Sequence, residues 1–209
     1  LAGLPGVSVV DAAPDLQPTS AATSNFVPPK PQELAKQFPQ LEILDLLGKG
    51  GMGAVYKARQ PELDRLVAVK ILPPEVGAEP DFAQRFAREA RALAKLSHQN
   101  IVSVFDFGQV DGQYYFVMEF VDGANLRDLM ETGGIQPDEA LAIVPQICDA
   151  LQFAHQAGVV HRDIKPENIL IDNQGRVKIA DFGLVKLLGW ATQDSRLTGT
   201  LKALGTLHY

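Results

Sequence analysis

Between two apolar runs, Gly158-Val159-Val160 and Ile169-Leu170-Ile171, the sequence crowds His161, Arg162, Asp163, Lys165, Glu167 and Asn168 into one short stretch. A loop that only connects rarely carries so many polar side chains, whereas a loop clamped between buried segments can hold them accurately. The constraint reaches further along the chain. Asp181-Phe182-Gly183 comes eighteen residues after Asp163, directly behind another strand-like run, Val177-Lys178-Ile179-Ala180. A fold for this chain must bring these apolar segments together and place Asp163 and Asp181 in one neighbourhood. A lone Asp or Asn in a turn is most often a backbone cap, but capping accounts poorly for an ordered set of this size.

Upstream, Leu41-Glu42-Ile43-Leu44-Asp45-Leu46-Leu47 reads as a strand that enters Gly48-Lys49-Gly50-Gly51-Met52-Gly53, and Val55-Tyr56-Lys57-Ala58-Arg59 then alternates like a second strand. Glycines at the G-x-G-x-x-G spacing are a weak signal alone. A dinucleotide-binding fingerprint would open a helix here, and a P-loop would close on Gly-Lys-Ser/Thr; neither occurs. What remains is a hairpin, either plain or one whose bare backbone N–H groups approach a ligand. Val67-Ala68-Val69-Lys70-Ile71-Leu72 is predicted as a strand with Ala68 and Lys70 on one face and Val67, Val69 and Ile71 on the other. A helix is predicted from about 80 to 96, with Phe82, Phe86, Leu93 and Leu96 on one stripe and Glu89 inside it. Removing one member of a buried ion pair costs about 3–5 kcal/mol, so an interior Lys70 and an interior Glu89 are expected to partner each other.

The run His161-Arg162-Asp163-Ile164-Lys165-Pro166-Glu167-Asn168, followed by Asp181-Phe182-Gly183, resembles the protein kinase family, and the resemblance extends over 41–209. It implies ATP-dependent phosphoryl transfer to Ser or Thr hydroxyls of protein substrates, a chemistry of positioning and electrostatic stabilisation. By resemblance Asp163 is the catalytic base and Lys165 lies near the transferring group. Asn168 and Asp181 are the implied Mg2+ ligands, hard oxygen donors suited to that ion. Gly48, Lys49, Gly50, Gly51 and Gly53 match the lid over the ATP phosphates, and Lys70 the residue that holds them, with Glu89 as its family partner. Met118 matches the gatekeeper beside the adenine, Glu119 and Val121 belong to the hinge, and Val55, Ala68 and Leu170 sandwich the ring. The style of the glycine loop and of Arg88-Glu89-Ala90 looks bacterial, and Lys165 favours Ser/Thr over Tyr acceptors. Arg162 calls for an anion, which a phosphate after Asp181 would supply. Among Thr192, Ser195, Thr198, Thr200 and Thr206, the resemblance ranks Thr198 and Thr200 first as phosphorylation sites and Thr206 last, as a hydroxyl beside Asp163 and Lys165. Phosphorylation in trans would bring two copies together as a dimer. Two rivals differ in class. A pseudokinase or scaffold would usually have lost Lys70, Asp163 or Asp181; a small-molecule phosphotransferase would lack the His-Arg-Asp-x-Lys form and the threonine-rich segment.

The implied fold is α+β and two-lobed. An N-lobe over 41–120 holds a five-stranded antiparallel sheet and one main helix, completed by strands at 101–107 and 114–120 around Asp111-Gly112. A partial, mainly helical C-lobe over 121–209 follows. Residues 1–30, rich in Pro, Ala and Ser, read as a flexible lead-in, and 31–40 as a short helix ahead of the domain. The helix expected from Pro137 to Gln156 carries Leu141, Ile143, Val144, Ile147, Cys148, Leu151, Phe153 and Ala154, too many for one stripe, so burial on several sides is expected. The family would add an A-P-E motif and further helices after Tyr209, so the domain is expected to be truncated here, and a start at Leu1 fits a piece of a longer chain. A net charge of -6 argues against a nucleic-acid partner. One cysteine, Cys148, leaves no intrachain disulfide, and no apolar run approaches a membrane span. A cytoplasmic kinase domain is the expectation, with membrane anchoring by a region beyond Tyr209 left open.

Overall fold

Alternation along residues 67–71 sorts the N-terminal half of the molecule into two packed faces. The computed structural model describes residues 26–78, 81–183 and 187. Five strands, β1 (Glu42–Gly50), β2 (Gly53–Gln60), β3 (Arg65–Ile71), β4 (Val104–Val110) and β5 (Gln113–Glu119), form one antiparallel sheet in the order β1-β2-β3-β5-β4. On one face Ala68 of β3 packs with Phe116 and Met118 of β5 against Phe82, Phe86, Ala90 and Leu93. Those four lie along one side of helix α2 (Phe82–Leu93); Phe82, Phe86 and Leu93 belong to the stripe read from the sequence, Ala90 joins them, and Leu96 is buried just beyond the helix end. On the other face Val67, Val69 and Ile71 join Ala54, Tyr56, Ala58 and Val117.

That second face is covered by the segment ahead of the sheet. Its regular helix, α1 (Pro31–Leu34), is one turn long, with Pro31 at its first position and Glu33 reaching back to the Lys30 N–H at 3.0 Å. Leu34, Phe38 and Leu41 are buried on the strands, and Phe26 is partly buried beside them. The Tyr56 hydroxyl donates to the Pro29 carbonyl at 2.6 Å. Burial, aided by Glu33, pushes the Tyr56 phenol up to about 12, so it stays a proton donor. The lead-in expected over 1–30 lies outside the described residues up to 25. Phe38 is 1% exposed and meets the Tyr115 ring edge-on at 4.8 Å. Phe38→Ala is expected to cost about 3–5 kcal/mol of stability in denaturant unfolding; an unchanged midpoint would show that this segment is not part of the core.

Helix α2 and strand β4 do not start where the sequence reading places them. Helix α2 begins at Phe82, because Asp81 before it adopts a left-handed conformation (φ 63°), and it stops at Leu93. Strand β4 begins at Val104 rather than Ile101. The backbone at 100–102 instead bonds to Ile179: its N–H donates to the Asn100 carbonyl at 2.9 Å, and its carbonyl accepts from Val102 at 2.9 Å.

The C-terminal half contains β6 (Gly123–Asn125), α3 (Leu126–Glu131), α4 (Pro137–Gln156), β7 (Ile169–Asp172) and β8 (Val177–Ile179), with a second sheet in the order β6-β7-β8. Helix α3 was not anticipated, although Asn125 caps it by accepting the Asp128 N–H at 2.9 Å. Gly123 lets β6 approach β7 closely, since a Cβ there would lie 2.0 Å from the Ile171 carbonyl oxygen. Helix α4 has the expected bounds. Ile143, Ala150 and Ala154 are buried, whereas Leu141 is 69% and Val144 46% exposed, and Cys148 is exposed. Among the described residues it packs on β8 and on the segment at 98–100, where His98 and Asn100 meet Asp149, Gln146 and Phe153. No helix of the described residues is long and apolar enough to cross a membrane.

Candidate active site

The polar stretch at 161–168 is held by the strands on either side of it. His161 is 1% exposed; its Nε2–H donates to the Ala180 carbonyl at 2.8 Å, and its Nδ1 accepts the Asp163 N–H at 3.3 Å. The same two segments are joined again by Gly183 N–H to the His161 carbonyl at 3.2 Å and Ala180 N–H to the Asn168 carbonyl at 2.9 Å. The His161 ring also meets the Phe182 ring at 4.5 Å. These bonds hold two non-glycine residues in the left-handed region, Arg162 at φ 71° and Asp181 at φ 63°, a conformation that costs on the order of 1–3 kcal/mol each when the surroundings impose it.

Burial lowers the pKa of His161, outweighing the Ala180 hydrogen bond and the nearby Asp181 and Asp163, which favour the proton. The folded state therefore binds the proton more weakly than the unfolded chain does. Stability is complete above the ordinary histidine value of about 6.5 and falls as the pH drops from there towards the lower folded value. Unfolding free energies measured across this window should decline with acidification. His161→Asn should flatten the slope, and an unchanged slope would contradict the assignment.

Asp163 lies between two partners on its own loop. Lys165 Nζ is 2.7 Å from its Oδ2, and Asn168 Nδ2 donates to its carbonyl at 2.8 Å and to Oδ2 at 3.1 Å. Lys70, 3% exposed on β3, points across to the turn after β8, where its Nζ is 2.6 Å from Asp181 Oδ2. This corrects the expected Lys70 and Glu89 pair. Glu89 does lie beside the apolar stripe of α2, but its Oε1 is 3.2 Å from the Arg88 guanidinium. Asp181, with its left-handed backbone, turns its carboxylate to Lys70 and is the carboxylate that pairs with it.

The glycine hairpin stands over the same place. Gly48, Lys49, Gly50, Gly51, Gly53 and Val55 line one cleft with Lys70, Lys165, Asn168 and Asp181. Gly53 is required by the fold itself: its φ is 112°, and a Cβ would lie 1.9 Å from the Ile71 carbonyl oxygen. At Gly48 and Gly50 a Cβ would meet nothing within 4 Å, so internal packing does not call for glycine there. Met118 sits opposite Ala68 in the sheet register and lines a small apolar cavity with Leu93, Phe116, Asp181 and Phe182. Val121 and Leu170 are partly buried against the main core. Thr198 and Thr200 lie outside the described residues, as do Thr192, Ser195 and Thr206.

Two features escaped the sequence reading. One is His161 as the anchor between the loop and the Asp181 turn; the only signal was its place at the head of the polar run. The other is Lys178, whose Nζ is 2.6 and 2.8 Å from the two carboxylate oxygens of Glu119. A lysine interrupting Val177 and Ile179 carries the same signal that singled out Lys70.

The model of the protein kinase domain family matches residues 41–209. Serine/threonine-protein kinase PrkC of Bacillus subtilis is 46% identical over 169 residues, covering 80% of this chain and 26% of that protein. Serine/threonine-protein kinase PknB of Mycobacterium leprae is 43% identical over 173 residues, covering 80% and 27% respectively. Among solved structures, the Mycobacterium tuberculosis PknI kinase domain superposes with a TM-score of 0.63 at 36% identity, covering 69% of this chain and 59% of that one. The chain thus spans about a quarter of the length of the curated relatives it matches.

Proposed function

Given that this chain belongs to the protein kinase family, we propose that it transfers the γ-phosphoryl group of ATP to serine and threonine hydroxyls of protein substrates. The observation that carries this reading is the Asp163 carboxylate, fixed between Lys165 and Asn168 on a loop that His161 ties to the Asp181 turn. A carboxylate so oriented can accept the proton of an attacking hydroxyl, while Lys165 beside it offers a positive charge to the phosphoryl group in flight. Lys70 and the glycine hairpin line the same cleft. In this reading Lys70 meets the phosphates as a point charge, and Gly48 and Gly50 present bare backbone to them. Met118, Glu119 and Val121 border the adenine end, with Val55, Ala68 and Leu170 on the faces of the ring.

The family implies a divalent cation, and the residues present fit one. Asn168 donates its Nδ2 to Asp163, which leaves its amide oxygen as the ligating atom; Asp181 supplies a carboxylate in the same cleft. Among the described residues no cluster of three or more His, Cys, Asp or Glu could hold a metal unaided. One carboxylate and one amide oxygen are a donor set suited to Mg2+, which is commonly held jointly by few protein oxygens and substrate phosphates. When bound there, the cation neutralises charge on the phosphate oxygens.

Regulation by phosphorylation of Thr198 and Thr200 belongs to the same proposal, with Arg162 as the cation that receives the phosphate and a dimer as the arrangement for transfer in trans. Mass spectrometry of the full-length protein after incubation with Mg-ATP is expected to find phosphate on both threonines. Their remaining unmodified, or an unchanged rate when both are replaced by Ala, would refute the switch.

A further inference from the structure

We propose that Lys178 is a positioning residue which, through Glu119, fixes the hinge against the turn that carries Asp181, so that the two ends of a bound nucleotide are held in one frame. The inference rests on the nucleotide-binding reading above and adds to it a side chain outside the phosphate cleft. Val177 and Ile179 on either side of Lys178 are fully buried, while Lys178 projects from the opposite face of β8, where the register sets it beside Leu170. Its ammonium engages both oxygens of Glu119, at 2.6 and 2.8 Å, with the two side chains 15% and 28% exposed. Glu119 ends β5, follows Met118 and leads into the hinge. Lys178 lies three residues before Asp181 on a short strand.

The two sheets approach each other across the segment 100–103. Its backbone bonds to Ile179 of β8 on one side, and on the other Ser103 exchanges hydrogen bonds with Glu119, donating to Oε2 at 3.2 Å and accepting from the Glu119 N–H at 2.9 Å. The Lys178 and Glu119 pair spans the gap directly. A partly buried pair of this kind is a poor device for stability alone, because an apolar residue at 178 would avoid desolvating a charge. What a doubly held carboxylate provides is geometry: Glu119 cannot slide along the hinge without losing an oxygen contact. Lys178 would then influence recognition of the base without touching it.

The test compares ATP and GTP binding to the full-length protein and its variants, alongside their unfolding midpoints. For Lys178→Met the preference for ATP over GTP is expected to fall about five- to tenfold, and Lys178→Arg should retain most of it. A purely structural role would lower the unfolding midpoint and leave the ATP to GTP ratio unchanged, and that result overturns the proposal. Equal loss in Lys178→Arg also overturns it, since the charge would then not be what matters. If Lys178→Met does not fold, Glu119→Gln removes the same charge pair with little change of shape, and the same change in ratio is required of it. Wild-type protein that binds neither nucleotide would refute the nucleotide-binding reading itself and this inference with it, whereas wild-type binding with an unchanged variant ratio refutes the inference alone.

Discussion

Replacing Asp163 with Asn in the full-length protein is expected to lower turnover by about 10²- to 10⁴-fold, the contribution of a positioned general base, with nucleotide affinity nearly intact. The geometry explains the separation. Asp163 makes its contacts to Lys165 and Asn168 on its own loop, while the glycine hairpin and Lys70 enter the cleft from other elements, the β1–β2 hairpin and β3. An amide at 163 keeps the size of the side chain but cannot take up the proton, so the loss should appear in kcat. Steady-state kinetics with a direct nucleotide-binding measurement checks this. Equal loss in affinity and rate would show that Asp163 supports the cleft rather than the chemistry.

Lys70→Met is expected to act on both stability and nucleotide binding. The Lys70 side chain is 4% exposed and its ion partner, Asp181, is 21% exposed. Removing the ammonium leaves a largely buried carboxylate without its cation, a change that costs on the order of 3 kcal/mol. It also removes the point charge proposed to meet the phosphates, so nucleotide affinity should fall along with the unfolding free energy. A Met variant with unchanged stability and unchanged affinity would show that the pair with Asp181 matters to neither.

Much of this was legible because chemistry-bearing residues sat at the edges of apolar runs. The alternation at 67–71 separated the two faces of β3 correctly, and the bounds of α4 could be read from Pro137 onward, because both patterns are local. The partner of Lys70 was not legible. Periodicity placed Glu89 on the right side of its helix, but the direction of Asp181 depends on a left-handed residue that no periodicity reports. A count of apolar side chains along α4 says which surfaces call for cover, not what packs on them; among the described residues Ile143, Ala150 and Ala154 are the buried ones. The bridge from Lys178 to Glu119 joins residues 59 apart in sequence and exists only once β8 and β5 meet across 100–103.

The central claim is that the loop at 161–168 and the turn at 181–183 form one phosphoryl-transfer site for protein hydroxyls. Its most direct test is incubation of the full-length protein with γ-labelled ATP and Mg2+, a generic protein substrate and a panel of small alcohols, followed by phosphoamino-acid analysis. The account predicts label on serine and threonine of protein and none on the alcohols. Label on a small alcohol instead, or bound ATP with no transfer to any hydroxyl, would contradict it.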